Sequence, residues 1–276
     1  MDGADLERSK RNPTVTLIVY EHPLSPYAQK VKISLDEKGV AYETRMPAAI
    51  GSGQPDTNFL KSNPRGEVPS LIDGDVSVFD STIILEYIED KWPTPPMLPK
   101  TPAERANART IEEVMDTSFE PINWGLGEIK WFRRATGERA RTLEARAHAQ
   151  ARGIYGWLTR HLGHREWFGG ETFGWADLSV VPYLNGARGN GIGPDESSPL
   201  GQWLARANAR PSVQKAAQAA AAVVANMAQV DQAVKSGLFK REYRDHRLEW
   251  MIRSGGVDVV LEGIQKNNIR FSNELN

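Results

Sequence analysis

The sequence predicts an α/β domain followed by an all-α domain, with an extended C-terminal tail. Three observations carry this. An apolar, β-branched run near the start leads into a helix-start signal and a second strand-compatible segment. The stretch 93–103, PTPPMLPKTPA, holds five prolines and reads as a stiff linker at a domain boundary. Beyond it strand signals vanish, and Ala-, Arg- and Glu-rich helical periodicity takes over. The length of 276 residues agrees, since a typical domain has about 150.

Residues 1–13 read as a loose arm. Thr14 to Tyr20, TVTLIVY, has the pattern of a strand buried on both faces. Ser25-Pro26 reads as an N-cap followed by Pro at the first helical position, where a missing N–H costs nothing. Ala28, Val31 and Leu35 form one apolar helix stripe, and Gly39 is a good C-cap. A second strand is expected over Val40 to Met46. Residues 47–57 form a loop by composition, 58–62 a short helix, and Asn63-Pro64-Arg65-Gly66 a turn. Val68 to Ile72 and Val76 to Phe79 are strands, paired antiparallel by the Asp73-Gly74 hairpin signal. Asp80-Ser81 caps a helix carrying Ile83, Ile84, Tyr87 and Ile88, which Trp92-Pro93 stops. The β-α-β crossover implies a parallel pair, so the small sheet is mixed. The α/β domain is thus expected at 14–92, the linker at 93–103 and the helical domain, of five or six helices, at 104–235. The tail, 236–276, should hold two helical pieces.

Composition excludes several functions. At 40% hydrophobic and 25% charged residues the chain is an ordinary globular one. Its 34 Lys and Arg face 35 Asp and Glu, so no global field favours nucleic acid or anionic lipid. Cysteine is absent, which removes disulfides, thiolate metal sites and a catalytic cysteine. Any sulfur chemistry must use sulfur brought by a ligand. No His, Asp or Glu spacing suggests a metal. The polar N-terminal stretch lacks the apolar segment of a signal peptide. The longest apolar run, AAAAVVA at 219–225, is too short for a bilayer. A soluble cytoplasmic protein without membrane or nucleic-acid partners is expected.

Three constellations carry chemistry. Ser25, with Pro26, Tyr27 and Lys30, puts a hydroxyl beside the unpaired N–H groups of a helix start, either a plain N-cap or an anion site. Glu67-Val68-Pro69-Ser70 opens a strand. Its Val68-Pro69 bond is trans by frequency, whereas a cis bond would turn the Val68 N–H and C=O outward toward an extended ligand. Asp80-Ser81 is either a cap or a site for an α-amino acid head group, with Ser81 taking the carboxylate and Asp80 the ammonium. In this element order all three converge at one edge of the sheet, where open α/β sheets bind ligands. A small peptide with a free α-amino acid end and a thiol fits there.

The stretches SPYAQKV (25–31), NPRGEVPSL (63–71) and DSTIILEYIED (80–90) resemble the cytosolic glutathione S-transferases. GWADLSVVPYL (174–184) and ARPSV (209–213) match more weakly. The resemblance covers about residues 14–215 and includes some similarity to bacterial, Ser-type, etherase-like members. It implies a thioredoxin-like first domain, a helical second domain and a homodimer. It implies Ser25 as the catalytic residue and Ser25, Asn63, Val68, Pro69, Asp80 and Ser81 as the glutathione site, with glutathione as co-substrate and no metal. Family members often carry Ser or Thr where Gly174 stands, and this departure reads as drift, because Gly caps only slightly worse.

The expected chemistry is ionisation of the glutathione thiol by the Ser25 hydroxyl, then attack on a hydrophobic electrophile. Tyr27, Phe119, Trp124, Trp131, Phe132 and Tyr183 are candidate pocket walls, with burial in the core as the alternative for each. Ether cleavage, dehalogenation and a non-catalytic scaffold role are the competing functions. The charged stretch 240–249 reads as a solvated face, with a substrate-covering lid as the alternative.

Overall fold

The computed structural model describes residues 17–48, 56–225, 227 and 230–271. The expected arm at 1–13, the first residues of the expected strand and most of the loop at 47–57 lie outside them. Apolar β1 (Leu17–Tyr20) leads to α1 (Pro26–Glu37), which opens on Ser25 as N-cap with Pro26 in the first turn. Next come β2 (Glu43–Arg45), α2 (Thr57–Ser62), β3 (Ser70–Asp73), β4 (Val76–Phe79) and α3 (Ser81–Lys91). The sheet order is β2-β1-β3-β4, parallel between β1 and β2 and antiparallel elsewhere. Gly74 turns the hairpin at φ +61°, a conformation that costs glycine little.

The helical domain begins with α4 (Pro102–Val114), capped by Thr101. A π-helical segment, Met115–Phe119, joins it to α5 (Glu120–Lys130). Then follow α6 (Gly137–Leu162), α7 (Trp175–Asn190), α8 (Pro199–Asn208), α9 (Pro211–Val224) and α10 (Val230–Lys235). The tail adds β5 (Arg241–Glu242), α11 (Asp245–Arg253), α12 (Val257–Gln265) and β6 (Ile269–Arg270), with β5 and β6 paired in parallel. The sequence carried no signal for these two short strands.

One core runs through both domains. Val31 and Leu35 of α1 belong to the same buried cluster as Leu71, Ile84, Phe119, Tyr183 and Trp203. Helix α1 is the seam: it packs on α3 and also on α7 and α9. No described helix is long and apolar enough to cross a membrane.

Two readings of the sequence change. Gly174 is not drift. The Trp175 N–H bonds the Met97 carbonyl at 2.7 Å, and a Cβ on Gly174 would lie 2.7 Å from that same oxygen. The close approach therefore demands glycine, while Asp177 accepts from the Gly174 N–H and takes over the capping. The stretch 240–249 is not a solvated face either. Tyr243 is fully buried, and its neighbours Arg241, His246 and Arg247 pair with carboxylates of α5.

Candidate active site

Register across the sheet assembles the site. Tyr20 at the end of β1 faces Ser70 at the start of β3, and Ser70 faces Phe79 at the end of β4. The residues just beyond, Ser25, Val68-Pro69 and Asp80-Ser81, therefore share one edge, as the β-α-β order required.

Ser25 is half-buried. Its Oγ accepts only the Ala28 N–H, at 3.3 Å. Among the described residues nothing accepts its O–H, which leaves a donor at the positive end of α1. The Val68-Pro69 bond is cis, and no described hydrogen bond engages the Val68 N–H or C=O. Asp80 is the N-cap of α3 at φ 75°, with Oδ1 taking the Thr82 N–H at 3.0 Å. The carboxylate is exposed, while Ser81 is buried beside it. Asn63 is differently employed. Its amide donates to the Glu67 carbonyl at 2.5 Å and its Oδ1 accepts the Arg65 N–H at 3.0 Å. At 2% exposure it holds the 63–67 turn together from inside.

Beneath α1 lies a network the sequence reading named only through Lys30. Lys30, wholly buried, reaches Glu112 Oε1 and Asp116 Oδ2, each at 2.5 Å. Burial works against its charge, but the two carboxylates outweigh that and raise its pKa. Glu112 also accepts from Thr82 on α3 and from the Trp175 indole on α7. One carboxylate thus ties the two site helices to the helical domain. Asp116, inside the π-helical segment, accepts the Tyr183 hydroxyl at 2.6 Å, and its backbone oxygen accepts the Tyr27 hydroxyl at 2.8 Å. Burial pushes its carboxyl up to about 6; Lys30 opposes the rise and Glu112 reinforces it. A usable signal existed: Glu112 and Asp116 stand one turn apart among the apolar Ile111 and Met115.

The six aromatic candidates divide. Tyr27 and Tyr183 meet edge to face at 6.1 Å over Asp116. Trp124 lies edge-on to Tyr243 of the tail at 4.6 Å, with the Arg241 and Arg247 guanidiniums over its ring. Phe132 stacks on Phe239 at 5.9 Å, beneath Arg241. Phe119 is fully buried against Tyr155. Trp131 is half-buried under Lys130, and no described ring contact joins it to the other five.

The tail covers this region. Glu128 takes Arg241 and the Tyr243 hydroxyl; Glu120 takes Arg247 and His246. Burial would raise the Glu120 carboxyl, but Arg247 and His246 hold it down to about 2. His246 Nε2 also lies 3.3 Å from the Tyr27 hydroxyl, and Arg244 Nη1 reaches Glu67 Oε2 at 2.5 Å. The tail is therefore anchored on α5 and touches the first domain beside both Ser25 and Val68. Charge pairing between α5 acids and the Arg-rich 241–247 segment was the available signal.

Comparison with known proteins agrees with this geometry. Residues 19–96 match the family model for the glutathione S-transferase N-terminal domain, and residues 137–208 match that for its C-terminal domain. Glutathione S-transferase Z1 of Arabidopsis thaliana is 41% identical over 173 residues, which cover 62% of this chain and 77% of that protein. A stringent starvation protein A homolog of Coxiella burnetii is 31% identical over 175 residues, 61% of this chain and 74% of that one. The crystal structure of rice GST1 in complex with glutathione superimposes with a TM-score of 0.64 at 28% identity, over 78% of this chain and 96% of that one. The tail residues that contact Glu67, Glu120 and Glu128 lie beyond both family-model matches. With both domains matched in order on one connected core, the chain belongs to the glutathione S-transferase family of enzymes.

Proposed function

We propose that the chain activates glutathione as its thiolate and transfers it to a hydrophobic electrophile. One observation carries the reading: Ser25 presents an O–H with no acceptor among the described residues, at the start of α1. A free thiol has a pKa of ~8.5 and is only slightly ionised at neutral pH. Lowering it by ~2 units needs ~2.7 kcal/mol of preference for the anion. A hydrogen bond to a charged acceptor supplies ~1.5–3 kcal/mol, so one hydroxyl suffices without a general base. Ser25 acts as donor, not nucleophile. Its proton stays on oxygen while the thiol proton leaves to solvent.

In this reading Val68 meets the cysteinyl backbone, and Asp80 with Ser81 takes the γ-glutamyl head group. Pro69 shapes the edge, and Asn63 contributes by holding the turn. The rice relative, solved with glutathione, supports this choice of co-substrate. The electrophile rests between Ser25 and the helical domain, near Tyr27 and Trp124 under the tail. Aromatic lining suits an aromatic or apolar compound. The enzyme is read as a cytoplasmic homodimer acting in detoxification or aromatic catabolism. Conjugation, ether cleavage and halide displacement share the thiolate step, and identifying the released product from a panel of aryl ethers and halides separates them. A relative named a stringent starvation protein homolog rather than a transferase keeps a second reading beside this one, a non-catalytic glutathione-binding or scaffold protein.

The test is an ultraviolet titration of bound glutathione. Ser25→Ala should raise the thiol pKa by about 2 units, from the loss of one charge-assisted hydrogen bond, with affinity little changed. Equal ionisation in both proteins ends the proposed role of Ser25. Absence of glutathione-dependent product with every electrophile favours the second reading.

A further inference from the structure

The tail places a positive cluster beside the proposed peptide edge. Glu67, immediately before Val68, is met by Arg244 Nη1 at 2.5 Å and by Arg65 Nη2 at 3.2 Å, both on Oε2. Glu242 faces Glu67 and is itself paired with Arg270 at 2.6 Å. Three guanidiniums thus surround two carboxylates, leaving a net positive charge. Of the Arg244 guanidinium only Nη1 is engaged among the described residues; its Nε is buried without an acceptor. The side chain as a whole keeps 23% exposure, so its remaining donors can meet an arriving acceptor.

The ligand of the proposed site is an anion with a carboxylate at each end. With the γ-glutamyl head group at Asp80-Ser81 and the cysteinyl part on Val68, the glycyl carboxylate is the end left over. A bare carboxylate at position 67 would repel it. Asn63 is 2% exposed with its amide bonded inside the turn, so it is poorly placed to serve it. We propose that Arg244, supplied by the C-terminal extension, binds the glycyl carboxylate of glutathione while screening Glu67. This rests on the glutathione reading above. It gives the extension a binding role: anchored on α5 through Glu120 and Glu128, it carries one guanidinium across to the first domain.

The test uses S-methylglutathione, which has no thiol, and its glycyl amide, which lacks the carboxylate. Binding of each to the whole chain is measured by calorimetry. Arg244→Gln should weaken binding of the acid about tenfold, the scale of a charge-assisted hydrogen bond, and leave the amide within twofold. Glu67→Gln, which frees Arg244, should tighten the acid and spare the amide. Equal weakening of both peptides by Arg244→Gln means that Arg244 only holds the tail in place and overturns the proposal. Unchanged binding of the acid overturns it as well, while the site on Ser25, Val68 and Asp80 survives. Failure of the unmodified chain to bind either peptide overturns that site reading and this inference together.

Discussion

The sheet edge of the first domain and the C-terminal extension touch at Glu67 and Tyr27 but are built from different materials. The edge uses helix ends and backbone without a partner among the described residues: Ser25 caps α1, Asp80 caps α3, and Val68 carries the main-chain groups. The extension uses buried ion pairs and rings: Arg247 and His246 on Glu120, Arg241 and Tyr243 on Glu128, Trp250 against Gly125. Backbone sites are local, so a few consecutive residues create them. Ion-pair anchoring is long-range, so each partner is meaningless without the other. A local arrangement can therefore be written into short motifs, while the anchoring of the extension depends on residues about a hundred positions away.

The seam that joins this edge to the helical domain offers the hardest test. Lys30→Met would leave Glu112 and Asp116 buried without their cation, which costs about 3–5 kcal/mol when one partner of a buried pair is removed. Urea denaturation measures this, and a loss below about 1 kcal/mol would mean that Lys30 does not hold the two domains together.

Acid sharpens the comparison next. Glu120 stands at about 2 in the fold against an ordinary 4.5. A lowered carboxyl stabilises the fold fully above pH 4.5 and loses that contribution as pH falls toward 2. The contribution is on the order of 3 kcal/mol. Asp116 and Asp177, both raised to about 6, act in the opposite sense: their effect is stability lost as pH rises from about 4 to about 6. Glu120→Gln should therefore flatten the acid limb below pH 4.5 and leave the slope between 4 and 6. A variant that keeps the full acid limb assigns it to other groups.

A smaller effect probes the extension alone. Gly125 packs directly on the Trp250 ring, and an added Cβ would fall inside it. Gly125→Ala should destabilise the protein by about 1–3 kcal/mol through overpacking and expose residues 236–271 to protease. Resistance equal to the parent would show that the extension docks without Trp250. Smallest of all, Gly174→Ser should cost about 1 kcal/mol by pressing on the Met97 carbonyl. A stabilising serine would restore the reading of that glycine as drift.

Particular residues explain what could be read in advance. Pro26 after Ser25, and Gly74 after Asp73, act within one turn, so their geometry follows from adjacent residues and needs no partner. Strand-compatible runs located the four strands of the first domain for the same reason. Gly174 was misread because its constraint comes from Met97, across a gap in sequence that no local rule spans. Asn63 lies in the expected turn, and only the structure shows its amide turned inward to the Glu67 carbonyl. The stretch 240–249 looked solvated because charge reads as exposure unless the opposite charge is known to lie opposite.

By itself the sequence determined the order of elements in the first domain, its mixed sheet and the helix caps that bring a hydroxyl and a carboxylate to one edge. Those properties depend on torsions, periodicity and neighbours a few residues apart. Only the tertiary structure decided that Lys30 is sealed between two carboxylates and that the tail reaches across to the first domain with Arg244 on Glu67. The physical reason is that burial of charge is favourable only against a specific partner, and partners distant in sequence are chosen by packing.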